Sequence, residues 1–192
     1  TLTRIVKITK RNKFIIRCLK DILYEEGRKI LVLSDRIEHL EKLKSYLDKE
    51  KIDTSFYIGG MKQAKLDEAT KATVILASYG MASEALDIPT LNTLFMVTPR
   101  RSIQQSVGRI LRSKQNVIQP LILDIVDMLP SMDKQGFHRR KFYKKTTIVL
   151  LTTHAKYHIL TTFSGTPPPR SFGFVGLGAT FFGFRISAII CL

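Results

Sequence analysis

Short apolar runs alternate with stretches of helical periodicity over the first 126 residues, and this alternation constrains the fold more than any other feature. The runs lack regularly spaced polar positions, as strands covered by helices on both faces do. Strands that alternate with helices through short connections predict a doubly wound, parallel α/β sheet. The predicted strands are residues 29–34, 54–60, 72–78, 93–97 and 120–126, and the first two predicted helices cover 10–26 and 36–50.

The composition changes beyond about Lys145. Residues 146–192 contain no Asp or Glu, are rich in Thr, Phe and Gly, and carry a Pro-rich break at 166–170. Their glycine-rich stretch shows neither clear alternation nor clear helical periodicity, and Arg185 leaves it short for a membrane span. We therefore expect an α/β lobe over residues 1–145 and a tail over 146–192 that is poorly ordered or an unrelated extension, with membrane association as the alternative.

The charge of the chain indicates its class of partner. A net charge of +15 in 192 residues favours polyanions, with nucleic acid first and an anionic membrane second. Cys18 and Cys191 have no metal-ligand spacing, and the four histidines show none with acids or cysteines, so we expect no metal site and a reducing, intracellular compartment. The chain begins with Thr1 and no secretory signal opens it, so we expect a piece of a longer protein.

Polar and small residues follow the predicted strands at the ends where ligands gather in a doubly wound sheet. Hydroxyls, glycines, arginines and two acids occur there without a metal cluster or a nucleophilic triad. This composition is typical of phosphate binding. The residues singled out at this edge are Ser34, Arg36, Gly59, Ser78, Glu84, Asp87 and Thr98.

A short predicted helix over residues 104–112 concentrates polar side chains on one side. At 100° per residue, Gln105, Arg109 and Arg112 fall within an arc of roughly 60°. The opposite side, toward a core, carries Ile103, Val107, Ile110 and Leu111. Gly108 lies beside the polar stripe although glycine costs a helix about 1 kcal/mol relative to alanine. A glycine there favours close approach of another group.

The sequence contains no phosphate-binding loop of the GxxxxGK[ST] type and no Asp-Glu pair following a strand. Nothing in it could therefore hold a nucleoside triphosphate and its Mg²⁺ alone. An arginine pair without such a loop suggests fingers delivered to a nucleotide held elsewhere, a role that can contribute about 10³–10⁵ in rate. We expect the isolated chain to be inactive as an ATP hydrolase.

Three segments, in the right order, resemble the superfamily 2 helicases. QSVGRILR at 105–112 resembles their QxxGRxxR motif, and ASYGMASEALDIP at 77–89 resembles the preceding motif, with Ala85 in place of a common glycine. Residues 29–43 resemble the strand and helix that open the second motor lobe. The resemblance covers about residues 10–130 and is closest to the DNA helicases of large cytoplasmic DNA viruses and their phage relatives that act on branched DNA.

The resemblance implies a second RecA-like lobe of an ATP-dependent helicase, whose absent first lobe holds most of the ATP and its Mg²⁺. Arg109 and Arg112 would reach the γ-phosphate, and Gln105 would position that network or couple it to the cleft. Asp87 would face the ribose or the arginines, with Glu84 close by and Gly108 also beside the nucleotide. The backbone of DNA, with RNA as the alternative, would lie along Ser34, Arg36, Gly59, Ser78 and Thr98.

The same resemblance implies two partners, a nucleic acid and an N-terminal RecA-like lobe in cis or in trans, and no specific membrane partner. It places the protein in the host cytoplasm or the virion. Two other functions stay open: a truncated, non-catalytic module that binds nucleic acid or regulates, and a translocase on double-stranded DNA.

Each candidate residue also has a structural alternative. The arginines could form surface ion pairs, and Asp87 could cap the turn before Pro89. Glycines at 59–60 could form a simple turn, Ser34 and Ser78 could cap strand ends, and Arg36 could be a solvated residue at a helix start. The basic run 138–145 either faces nucleic acid or closes the domain as a solvated helix with Phe137 and Phe142 buried.

Overall fold

A seven-stranded sheet organises the chain in the computed structural model, which describes residues 2–85, 87–100, 103, 118, 120–127, 129–145, 149–154 and 184–190. The strands are β1 (Ile30–Ser34), β2 (Thr54–Tyr57), β3 (Val74–Ser78), β4 (Thr93–Met96), β5 (Leu121–Asp127), β6 (Val149–His154) and β7 (Phe184–Ile190). The helices are α1 (Leu2–Ile5), α2 (Thr9–Leu23), α3 (Ile37–Lys49), α4 (Gln63–Ala69), α5 (Ala82–Ala85) and α6 (Pro130–Lys145).

The first five strands form the predicted parallel sheet in the order β2-β3-β1-β4-β5. Ser34 at the end of β1 is in register with Ser78 of β3, and Met96 of β4 is in register with Asp124 of β5. The carboxyl ends of these strands therefore meet at one edge, which confirms the predicted doubly wound architecture and brings the loops that follow the strands together.

Helices cover both faces of this parallel sheet, so the strands are apolar on both sides. Along β1, Leu31 and Leu33 pack into the core under α4, α5 and α6, whereas Ile30 and Val32 pack into the core under α2 and α3. Every residue of β1, β4 and β5 is buried. This burial explains why the strands appear in the sequence as unbroken apolar runs.

Helix α6 packs unusually close to β5. The α-carbon of Gly136 faces Val126, and a β-carbon at that position would collide with the valine side chain. Glycine is required here because the helix backbone approaches the strand directly. The close approach brings Arg139 and Tyr143, on the following turns of α6, to Asp124 in the middle of β5.

Two strands beyond residue 145 differ from the sequence expectation, which placed the last clear strand at 120–126. Strand β7 pairs antiparallel with the whole of β5, from Leu121 opposite Ile190 to Asp127 opposite Phe184, and β6 pairs antiparallel with β7. Their signal is weak because Thr- and Gly-rich residues surround it, although Phe184, Ile186, Ala188 and Ile190 do alternate with period two. The division at residue 145 stays a prediction.

Candidate functional site

The carboxyl edge of the sheet joins the loops that follow β1, β2, β3 and β4. Arg36 and Gly59 are exposed there, and Ser78 is half-buried. Arg36 is the N-cap of α3, with an extended backbone and no side-chain cap hydrogen bond. The first turn of α3 therefore presents backbone N–H groups next to a guanidinium, an arrangement that favours anions.

Ser34, predicted to contact nucleic acid, lies in a buried chain of hydrogen bonds. Its Oγ lies 3.1 Å from Nδ1 of His39, and Nε2 of His39 lies 3.1 Å from Oδ1 of Asn12. Nδ2 of Asn12 donates to the carbonyl of Val6 at 2.9 Å, which leaves Oδ1 as the acceptor for Nε2–H. We therefore assign the Nε2–H tautomer to His39, with the Ser34 hydroxyl donating to Nδ1.

The same hydroxyl of Ser34 accepts the backbone N–H of Arg36 at 3.2 Å. Ser34 is completely buried, backbone included, and its side chain acts as the strand-end cap, so it presents no surface to a ligand. Burial, together with the charges of Arg11 and Lys42, lowers the pKa of His39 to about 3. The network thus contains a neutral imidazole at neutral pH.

Thr98, also predicted to lie on the nucleic-acid track, is buried and fixed from two sides. Its Oγ1 accepts the backbone N–H of Asp35 at 2.9 Å. Its carbonyl accepts a hydrogen bond from the hydroxyl of Tyr79 at 3.0 Å, and burial raises the pKa of that tyrosine so that it stays protonated. Thr98 therefore connects the loops after β1, β3 and β4.

Arg100 extends this connection to the surface. Its Nη1 donates to Oδ1 of Asp35 at 2.8 Å, and its guanidinium lies 5.0 Å from the ring centroid of Tyr79. The side chain is about half exposed at this edge. Sequence reasoning placed the Thr98–Ser102 loop here but did not single out Arg100, which matches no motif.

Buried side chains of β5 and α6 bind the backbone of the same loop from the interior of the fold. Nε of Arg139 donates to Oδ2 of Asp124 at 2.7 Å, and its Nη1 donates to the carbonyl of Arg100 at 2.8 Å. The hydroxyl of Tyr143 lies 3.2 Å from the same carboxylate oxygen. We call Asp124, Arg139 and Tyr143, with the Arg100 carbonyl, the loop clamp.

The loop clamp was missed by sequence reasoning, although a signal existed. Asp124 is a carboxylate in an otherwise apolar strand, and such a group needs a partner when it is buried. The partner came from the basic run 138–145, whose solvated-helix alternative was partly wrong: Phe137 is 60% exposed, Phe142 is partly buried, and Arg139 and Tyr143 are buried.

A second buried ion pair ties α2 to the same edge. Nε and Nη2 of Arg11 lie 2.7 and 2.9 Å from the two carboxylate oxygens of Asp127, and Nη2 also donates to the carbonyl of Val97 at 2.8 Å. The forked contact matches the planar guanidinium to the carboxylate. It fixes the ends of β4 and β5 relative to each other and to α2.

The two acids predicted to face the nucleotide lie together. Glu84 and Asp87 are exposed at the end of α5, and the backbone N–H of Asp87 donates to the carbonyl of Glu84 at 3.0 Å. Burial, and then the charges of Glu84, Asp67 and Asp87, raise the pKa of Tyr57 at the end of β2. The acids thus form a negative patch near the end of β2.

Gln105, Gly108, Arg109 and Arg112 lie outside the described residues, so their placement relative to Asp87 stays a prediction. Ile103, at the start of the predicted helix, is buried in the core under α4, α5 and α6. Its burial agrees with the predicted apolar side of that helix. The loop clamp fixes the backbone at Arg100, which precedes the predicted helix in the sequence.

Among the described residues, no group of His, Cys, Asp and Glu could hold a metal ion. Cys18 is a buried free thiol, and burial raises its pKa. In the described part of the chain, no helix has the length and apolar character needed to span a bilayer.

Comparison with known proteins identifies a protein family to which the chain is similar. The family described as the helicase conserved C-terminal domain matches residues 11–114. The L396 protein of Acanthamoeba polyphaga mimivirus, provisionally named an ATP-dependent RNA helicase, is 38% identical over 148 residues, which cover 75% of this chain and 28% of L396. The QP509L protein of African swine fever virus (isolate Tick/Malawi/Lil 20-1/1983), with the same provisional name, is 29% identical over 141 residues, covering 71% of this chain and 27% of QP509L.

Among solved structures, T4 UvsW superposes with a TM-score of 0.57 at 19% identity, covering 75% of this chain and 34% of UvsW. This likeness supports the fold. The chain spans just over a quarter of the length of the two curated relatives. The family match and the viral origin of these relatives confirm the resemblance to viral helicases that the motifs indicated.

Proposed function

Because the chain belongs to the family of helicase conserved C-terminal domains, we propose that it is the second RecA-like lobe of an ATP-dependent superfamily 2 helicase. In this role it supplies arginine fingers to a nucleotide held mainly by a first lobe, and it provides half of the nucleic-acid track. The observation that carries the proposal is the loop clamp, which fixes the backbone at Arg100, four residues before the helix predicted over residues 104–112.

The loop clamp suits a lobe that must present side chains across a cleft. A finger acts only if it is held in place when the lobes close, because a misplaced donor loses most of its effect on the reacting phosphate. Tyr79, Asp35 and Arg139 hold the Thr98–Arg100 segment from three different elements. Bound ATP with Mg²⁺ would supply the phosphoryl group that is transferred to water, and Arg109 and Arg112 would stabilise the charge that develops on it.

The proposed nucleic-acid track lies along the same carboxyl edge of the sheet. Exposed Arg36 at the start of α3, the glycines at 59–60 and half-buried Ser78 offer a guanidinium, backbone N–H groups and a hydroxyl to phosphates. Such contacts position a backbone without reading bases. We keep DNA as the substrate proposed from the motifs, with RNA as the alternative, which the provisional names of L396 and QP509L favour.

The test joins a first RecA-like lobe to this chain and measures ATP hydrolysis with and without single-stranded DNA or RNA. We expect nucleic acid to stimulate hydrolysis. Arg36→Ala should raise the nucleic-acid concentration that gives half-maximal stimulation, whereas Lys71→Ala, an exposed lysine before β3 at the opposite edge of the sheet, should not. Hydrolysis that does not respond to either nucleic acid would contradict the proposal.

A further inference from the structure

A groove lies between α2 and α3, on the face of the sheet opposite α4, α5 and α6. It encloses about 550 Å³ and is lined by side chains from both helices. We call it the α2–α3 groove and define it by Lys13, Arg17, Lys20 and Tyr24 from the α2 side and Tyr46 and Lys49 from α3. None of these residues belongs to the carboxyl-edge site.

The α2 side of the groove carries three cations and one acid, Asp21. Lys13, Arg17 and Lys20 are exposed and spaced four and three residues apart, so they share one helix face over roughly 10 Å. Lys20 pairs with Glu50 of the opposite wall at 2.6 Å. In the part of the chain that the structure describes, Lys13 and Arg17 enter no ion pair, so their charges are available to an anion.

Two tyrosines accompany the cations. Tyr24, the C-cap of α2, is 86% exposed, although a large ring of this kind is usually covered. Tyr46 is partly buried against the core and shows one side to the groove. Cations interleaved with accessible aromatic rings are the combination that grips single-stranded nucleic acid, through phosphates and through stacked bases.

The groove lies along the middle and the C-terminal end of α2 and along the C-terminal end of α3. Lys7 pairs with Glu38 at 3.4 Å near the start of the two helices, and Lys20 pairs with Glu50 near their ends. The helices therefore lie side by side in the same direction, and both begin at the edge that carries Arg36. A strand that crosses Arg36 would reach Tyr46 after about 15 Å along α3 and would enter the groove there without reversing its course.

We propose that the α2–α3 groove binds a single-stranded segment of nucleic acid that continues from the carboxyl edge of the sheet. This inference rests on the proposed function, since it extends the same track. An acidic polypeptide would use the cations but gives no reason for the exposed ring of Tyr24. Stacking of a base on that ring uses both features of the groove.

The test measures binding of a fluorescein-labelled, mixed-sequence 25-nucleotide DNA, and its RNA equivalent, to the full chain by anisotropy over a range of salt concentrations. The double variant Lys13→Glu/Arg17→Glu is compared with Lys65→Glu/Lys71→Glu, which changes the charge equally at exposed positions on the opposite, α4 side. Loss of two phosphate contacts should reduce the slope of log K against log salt by about 1.4, because each contact contributes about 0.7 on a single strand. The control should keep the wild-type slope.

Two further sets of variants are informative. One distinguishes the loss of phosphate contacts from a loss of folding, and the other distinguishes stacking on the Tyr24 ring from binding by the neighbouring charges. Lys13→Gln/Arg17→Gln should reduce the slope as the glutamates do, with an unchanged thermal unfolding transition. Tyr24→Ala should weaken binding about fivefold or more, whereas Tyr24→Phe should retain it because the stacking face remains.

Equal slopes of log K against log salt in the groove variants and the control variant would overturn the inference. If Arg36→Ala still reduces binding in that case, the proposed function survives without it. Capture of polyglutamate through Lys13 and Arg17, with nucleic-acid binding unaffected by any groove variant, would also overturn it and assign the groove to an acidic polypeptide. A wild-type chain that binds no nucleic acid would contradict the proposed function itself.

Discussion

Arg139 and Asp124 form a buried ion pair, with Nε of the arginine 2.7 Å from Oδ2 of the aspartate, and the same guanidinium holds the carbonyl of Arg100. Nη2 of Arg139 and Oδ1 of Asp124 are buried and have no hydrogen-bond partner among the described residues. Each unsatisfied group costs about 1–3 kcal/mol. The pair therefore orients the loop at Arg100 more than it stabilises the fold.

Removal of one partner of this ion pair should nevertheless lower the stability of the fold strongly. We expect Arg139→Met to lower the free energy of unfolding by about 3–5 kcal/mol, because the Asp124 carboxylate would stay buried without a counter-charge. Tyr143→Phe should lower it by only about 1 kcal/mol, the usual contribution of one hydrogen bond. Urea unfolding measures both, and Lys141→Met, an exposed lysine on the same helix, is the control. If the double variant Arg139→Met/Asp124→Leu is no more stable than Arg139→Met alone, the stranded carboxylate is not the cause.

The buried histidine predicts a pH dependence. His39 has a pKa of about 3 in the folded chain, below the value of about 6.5 of an exposed histidine. Between these values the unfolded chain binds a proton that the folded chain does not, so stability falls as the pH falls. At pH 5 we expect a loss of about 2 kcal/mol relative to pH 7 from this group.

Urea unfolding at several pH values checks this expectation. His39→Gln should show a shallower decline in stability between pH 7 and pH 5 than the wild type, whatever its absolute stability. His138→Gln, at an exposed position on α6, should keep the wild-type decline. A slope that is the same in all three proteins would mean that His39 is protonated in the folded chain.

The sequence was informative where whole segments are buried. Unbroken apolar runs located β1, β3, β4 and β5, and the order of the strands then determined the edge at which the loops meet. Arg36, Gly59 and Ser78 lie at that edge with accessible groups. Periodicity says nothing about the direction of a single polar side chain, so the burial of Ser34 and Thr98 had to come from the structure.

Long-range pairing limited the sequence analysis most. Arg11 and its partner Asp127 are 116 residues apart, and Arg139 and Asp124 are 15 apart on different elements. Nothing in a local pattern selects these partners among the 31 basic residues of the chain. The lone carboxylate in the apolar run of β5 shows only that some partner must exist.

Truncation tests the division at residue 145. The five parallel strands and the helices on both faces all lie within residues 2–145. We therefore expect a chain that ends at Lys145 to unfold cooperatively in urea, although β5 would become an edge strand without β7. A broad, non-cooperative transition would show instead that β6 and β7 supply part of the core.

The absence of a phosphate-binding loop predicts that the chain alone turns over no ATP. A phosphate-release measurement on the purified chain, with and without single-stranded DNA, should stay at the background rate. Turnover that Arg109→Ala abolishes would reveal a complete nucleotide site within these residues.

The most direct test concerns the proposed arginine fingers, in a polypeptide that joins a first RecA-like lobe to this chain. Lysine keeps the charge of arginine but lacks the planar fork that matches phosphate oxygens. For Arg109→Lys and Arg112→Lys we therefore predict a loss of ATP turnover of about 10³-fold or more, with nucleotide binding retained and stability changed by no more than about 0.5 kcal/mol. Arg4→Lys on α1 should behave as the wild type. Wild-type turnover in both lysine variants would contradict the account, as would a loss of stability large enough to explain the lost activity.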